Sequence, residues 1–345
     1  MSTVTAFGRI FTPRPDWLAK AEPEAIIDSG RPIIDTHHHL WHRDGDNRYF
    51  LTDYLADCAT GHNIVGSVFL QCHAMYKSTG PEQLRPTGET EFVAGIAAQS
   101  DSGQYGSTKV AAGIVGFADL TAGDWVRPVL EAHIRAAGGR FRGVRHSAAY
   151  DADPIIGNGA DVPHLYNDTK FRAGMKQLES LGLSLDAWTF HTQLDEITAL
   201  AQAFPSANII TGHCGGLLGY GPYAGKKDEV FSNWKRSVTK LSKCQNVTMK
   251  LGGMTMRLAA YDYLGLDAPP TSQHLADHWR PYVETCVDLF GADRCIAESN
   301  FPVEKMGVTF AALFNALKRI TAGCSEPEKS AIFADTARRV YRLDC

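Results

Sequence analysis

Eight cysteines are scattered through this 345-residue chain, and no two form a C-x-x-C pair. That absence removes the spacing expected of a zinc ribbon or a dithiol redox pair, and it suits free thiols in a reducing cytoplasm. Neither sign of charge is in excess: 34 Lys and Arg stand against 38 Asp and Glu, a formal net charge of −4. Such a balance gives no support for a nucleic-acid partner or a membrane surface. No run approaches the roughly 18 apolar residues of a bilayer span. The segment MSTVTAFGRIFTPRPDWLAK has no apolar stretch of the secretory kind. Short internal repeats and low-complexity tracts are also missing. A soluble cytoplasmic protein is therefore the expectation.

What is present is alternation. Short β-branched, near-continuous apolar runs recur at 33–37, 64–71, 110–117, 141–146, 183–190, 207–213, 246–253 and 295–301. Runs of that kind fit parallel strands covered on both faces. Helical periodicity follows at 88–101, 124–137, 168–182, 193–204, 226–242, 272–291 and 310–323, with a closing helix at 326–343. Asp124 is the expected N-cap of the second of these, and Gly182 the C-terminal stop of the third. Eight strands alternating with helices predict an α/β fold, a (β/α)8 TIM barrel over 31–345 as a single domain with long βα loops. A doubly wound open sheet is the rival, and the Gly-rich first turn that announces it is absent. Residues 1–30 form an N-terminal extension that either wraps the barrel or packs on a partner. Three connections, 72–87, 147–167 and 254–271, follow strand C-termini, where a barrel builds its active-site face.

The chemistry-bearing residues gather at those same ends. IIDTHHHLW (33–41) places His37 and His39 on one side of a strand by alternation, with His38 on the other. Imidazoles so placed suit zinc and similar metals. His191 follows LSLDAWTF, and His213 ends IITGH. Arg145 and His146 end the fourth strand; the planar guanidinium of Arg145 matches a carboxylate. Gln71 ends the second strand, and Trp41, Tyr76 and Trp188 supply aromatic walls for a small carboxylated or ring-shaped molecule. Lys250, in an apolar strand, reads as a structural ion-pair partner. Glu298 and Asn300 share one face of the eighth strand, with Asn300 at the mouth.

D-T-H-x-H after strand one, His191 after strand five, G-H-C-G-G after strand six and S-N-F-P after strand eight together resemble the amidohydrolase superfamily. Within it they are most similar to the amidohydrolase-related (amidohydrolase 2) branch of TIM-barrel hydrolases, which includes 2-pyrone-4,6-dicarboxylate lactonase and sugar lactonases. QCHAMYKSTGPEQLRPTGETEF and FRGVRHSA also look like this branch. The resemblance, spanning about residues 31–343, implies a hydrolase of a lactone or related cyclic ester. It implies His37, His39 and His191 as ligands of one divalent metal, most often zinc, and His213 as a further ligand or a carbonyl-polarising and proton-relaying group. The position usually held by the water-activating Asp is Asn300, which takes no proton at neutral pH. A mononuclear zinc mechanism and a metal-independent one, with the histidines and Arg145 stabilising an oxyanion, both stay open. So do a metal-dependent decarboxylase, an amide hydrolase and a non-catalytic binding barrel. The expected partner is a small-molecule substrate; homodimerisation is left open.

Overall fold

The computed structural model describes residues 12–43, 47–256, 259 and 263–345. Parts of the N-terminal extension and of the 254–271 connection thus lie outside the described residues. Eight strands form one parallel sheet in chain order: β1 (Pro32–His38), β2 (Asn63–Leu70), β3 (Lys109–Gly116), β4 (Phe141–Val144), β5 (Ser184–Ala187), β6 (Ile209–Thr211), β7 (Val247–Leu251) and β8 (Cys295–Ala297). The sheet comes back on itself just past β8. His38 bridges Phe301 in parallel, the Asn300 N–H donates to His37 O at 2.7 Å, and the His39 N–H donates to Phe301 O at 2.8 Å. The architecture is a (β/α)8 TIM barrel.

Each strand is followed by a helix: α1 (Leu51–Cys58), α2 (Thr87–Asp101), α3 (Arg127–Ala136), α4 (Thr169–Ser180), α5 (Leu194–Ala203), α6 (Lys227–Leu241), α7 (Ser272–Phe290) and α8 (Phe310–Ile320). Asp168 caps α4 by accepting from the Phe171 N–H at 2.8 Å. One expectation needs correction. Asp124 does not cap α3; it lies in a 3-10 turn capped by Asp119, and the helix begins at Arg127 with Pro128 in its first turn. The helix α1 is additional to the helices expected from periodicity. Its signal is Leu51, Tyr54 and Cys58, which recur at helical spacing and are all buried.

Strand alternation divides the core. One set of alternate residues, such as Ile33, Phe69, Ile114 and Ile209, packs outward against the helices. Ile34, Val68, Leu70, Val115, Ile210 and Ile296 point into the lumen. There they meet Ala334, Ala337, Val340, Tyr341 and Leu343 from the helical run 326–341 and the tail. The C-terminal segment thus plugs the floor of the barrel and leaves the opposite, C-terminal mouth for the loops. Residues 12–30 run along the outside: Trp17 donates to Leu266 O at 2.8 Å, and Asn315 and Lys318 of α8 hold the backbone of Ala25, Ile27 and Asp28.

Candidate active site

Glu298, the first residue beyond β8, is fully buried beneath the mouth. Its Oε2 accepts from His37 Nδ1 at 2.7 Å. Its Oε1 accepts from His213 Nδ1 at 2.8 Å and from the His213 backbone N–H at 2.9 Å. Because a carboxylate only accepts, each Nδ1 carries a hydrogen, and in the neutral tautomer so assigned an imidazole has a bare Nε2. Burial works against the charge on Glu298, but the His213 ring and N–H groups, with Lys250, outweigh it and hold the carboxyl below its ordinary range. Burial first, and then the charges of Lys250 and its neighbours, hold His37 neutral, well below the usual imidazole range.

Local backbone makes the clasp fit. His213 and Cys214 adopt left-handed φ of 56° and 49°, and Gly215 and Gly216 continue that turn at 81° and 69°. This tight turn brings the His213 ring and backbone N–H onto one carboxylate oxygen. The glycines ending β7 leave the room. A Cβ on Gly252 would lie 2.4 Å from Glu298 Cγ, and one on Gly253 2.2 Å from His213 Nδ1.

Two cations share the site. Arg145 Nη1 lies 3.2 Å from His37 Nε2, and Nη2 donates to Gln71 O. Lys250 donates to Thr36 O at 2.8 Å and pairs with Asp186 Oδ1 at 2.9 Å, which also accepts from Tyr341 OH at 2.6 Å. His37, His213, Arg145, Lys250, Asp186 and Trp188 line a tight cavity of about 10 Å³, room for about one water. The Trp188 ring stands edge-on to His213, centroids 4.7 Å apart. The two cations are what a carbonyl oxygen or carboxylate reaching this point would meet.

The other expected residues fall into two groups. His39 borders the site: its ring meets His37 edge-on with centroids 4.9 Å apart and lies along Trp41, Nδ1 faces Leu70 O at 2.7 Å, and Nε2 faces Asn300 Oδ1 at 3.3 Å. Gln71 reaches it through its carbonyl. His38 turns outward, stacked on Tyr54 and bonded to Ser67. His191, His146 and Tyr76 are not brought to the cavity. β5 ends at Ala187, so His191 is out of strand register; its ring meets Tyr223 and lines a separate outer cleft. His146 accepts from the Leu120 N–H at 3.2 Å and packs on Phe117 and Phe171. Tyr76 meets His73 on the loop after β2.

For a metal, the group that converges is therefore His37, His213 and Glu298, with one donor atom each within 4.8 Å of the others and all three buried. Of the expected set His37, His39 and His191, only His37 belongs to it. Imidazole nitrogen and carboxylate oxygen are donors a divalent ion such as zinc accepts, so the residues fit such an ion. Sequence reasoning gave Glu298 no role and passed over Asp186 and Glu304. The available signal was acidic residues inside otherwise apolar strand ends, LSLDAW and CIAES.

Paired imidazoles clasped by a buried carboxylate at the mouth of a closed barrel mark a barrel enzyme's active site. The chain belongs to the amidohydrolase family, whose model matches residues 34–343. A Sinorhizobium fredii protein, y4mH, itself uncharacterized, is 32% identical over 332 residues, covering 90% of this chain and 98% of that one. The L-fucono-1,5-lactonase of Burkholderia multivorans is 24% identical over 324 residues, covering 90% and 96%. The crystal structure of a B. multivorans amidohydrolase with bound zinc shares the fold, with a TM-score of 0.69 at 21% identity over 90% of this chain and 99% of that one. No helix among the described residues is long and apolar enough to cross a membrane.

Proposed function

We propose that this enzyme hydrolyses a lactone or related cyclic ester of a small polar molecule, with 1,5-lactones of sugar acids as the first candidates. The observation that carries the reading is the Glu298 clasp, which leaves bare Nε2 atoms on His37 and His213 beside two cations. The likeness to an L-fucono-1,5-lactonase supports the substrate class.

In this reading His213 Nε2 takes a proton from water as the water oxygen attacks the lactone carbonyl carbon. Glu298 stabilises the imidazolium that forms, and Arg145, backed by Lys250, meets the developing oxyanion. When the ring C–O bond breaks, the imidazolium returns its proton to the departing alkoxide, giving a hydroxy acid whose carboxylate faces Arg145. A lactone is an activated ester, so this machinery suffices without an aspartate base at position 300. A divalent ion held by His37, His213 and Glu298, zinc first among candidates, would take over from His213 as the activator of water and would supply Lewis-acid polarisation. Elemental analysis before and after chelation measures its occupancy. Eight unpaired thiols fit the cytoplasmic location expected from the sequence.

The test is a panel of L-fucono-1,5-lactone, other aldono-1,5-lactones and 2-pyrone-4,6-dicarboxylate, followed by acid release and product mass. One acid equivalent per lactone consumed, with one water added, is expected. Carbon dioxide release would point to decarboxylation instead, and tight binding without turnover to a binding barrel.

A further inference from the structure

Asn300 stands where a base is expected, yet a carboxylic acid lies directly behind it. Glu304 is fully buried in the 3-10 turn Glu304–Met306. Its Oε2 accepts from the Thr255 N–H at 2.7 Å and from the Thr255 hydroxyl. Its Oε1 faces the Asn300 amide nitrogen at 3.2 Å. On the far side of Asn300, the amide oxygen faces His39 Nε2 at 3.3 Å.

Donor and acceptor counting makes this row informative. Leu70 O can only accept, so His39 Nδ1 carries the hydrogen, and a neutral His39 presents a bare Nε2. A bare Nε2 facing an amide oxygen sets one acceptor against another. Turning the amide about puts its NH2 on His39 and its oxygen on Glu304 Oε1, and which way it lies is an assignment made from the network. The turned amide needs a hydrogen on Oε1. Oε2 is already committed to accepting from Thr255, so Oε1 is the atom free to carry one.

We propose that Glu304 is a positioning residue of the active site: its carboxyl decides which end of the Asn300 carboxamide faces His39, and through His39 how firmly His37 is held. Protonated, Glu304 donates to the amide oxygen and Asn300 donates to His39. Ionised, it draws the NH2 back and leaves an oxygen facing the imidazole. Burial raises the Glu304 carboxyl to about 7, against the donors Thr255 and Asn300, and the nearby Glu298 carboxylate adds to the rise. Lys305, next along the turn, is engaged with Asp57, and no cation among the described residues pairs with Glu304. The competent, donor-forward arrangement therefore belongs to pH below about 7 and is lost as pH rises through it.

The catalytic part of this inference rests on the hydrolytic reading; the carboxyl itself can be observed without a substrate. Glu304→Gln keeps a neutral group that can donate to Asn300 and accept from Thr255, so it mimics the protonated state. With the best lactone of the panel, kcat/KM of the wild type should fall by about tenfold as pH rises through that range, and Glu304→Gln should keep its low-pH value. Thr255→Val removes a donor that favours the carboxylate, so it should move the wild-type fall to higher pH. In the infrared difference between wild type and Glu304→Gln, a protonated-carboxyl band should vanish over the same range. Should Glu304→Gln not fold, the Thr255→Val shift in the profile and in the band decides. Identical profiles in all three proteins, or no protonated carboxyl assignable to Glu304 at pH 6, would overturn the proposal. A titrating band with no lactone turnover would fault the substrate reading and leave the placement of Glu304 intact.

Discussion

Arg145 shows how much chemistry hangs on single atoms here. One guanidinium nitrogen reaches His37 and the other Gln71, two directions at once from a planar fork. A lysine would bring the charge but only one point of it. Arg145→Lys should lower kcat/KM for lactone hydrolysis by about 10- to 100-fold, largely through KM, with an unchanged melting temperature. Equal kinetics in the variant would remove Arg145 from substrate recognition. The contrast with His191 is instructive: both end a barrel strand in the sequence, but β4 delivers Arg145 immediately after Val144, whereas three residues of loop separate His191 from β5. Residue type and order were legible in the chain; the distance over which a strand still dictates side-chain direction was not.

Elements explain what alternation made visible and what it hid. All eight strands could be read from β-branched runs, because parallel strands buried on both faces leave that trace. The ends of several were overestimated, most at β5, β6 and β8, because apolar residues continue into the loops that cover the mouth. The convergence of Glu298 with His213 was not readable, since it depends on a left-handed turn after β6 and on two glycines closing β7. Those glycines give a sharp test. Gly253→Ala puts a methyl into the His213 ring at a φ of 67°, and should lower lactone turnover about 100-fold while the far-UV circular dichroism stays barrel-like. Full turnover would show that the clasp tolerates displacement. The C-terminal helical run offers a second test, because Tyr341 OH supports Asp186 from the floor. Tyr341→Phe should cost about 1–3 kcal/mol in urea unfolding with an unchanged m value, and no loss would mean that Lys250 alone satisfies Asp186.

The whole molecule carries an unusual load of buried ionisable groups, and their signs can be summed. Burial lowers His38 to about 3 and His62, His133, His146 and His191 to about 4. The unfolded chain takes up those protons near pH 6.5, so their contribution to stability is present above that pH and is lost as pH falls below it. Asp35, raised to about 6, and Glu89 and Glu304, raised to about 7, act the other way and favour the fold at lower pH. The histidines outnumber them, so the melting temperature should drop between about pH 6.5 and 4.5; a flat or rising curve would show that the histidines are protonated in the native barrel. The lumen is closed below by the C-terminal plug and polar above, which concentrates chemistry at one mouth and makes Glu298 its keystone. The most direct measurement is therefore kcat/KM for lactone hydrolysis by Glu298→Gln, with folding checked by its melting curve. A fall of at least about 100-fold in a folded variant is expected, since the amide can no longer accept from both imidazoles. Turnover within about twofold of wild type would contradict the account.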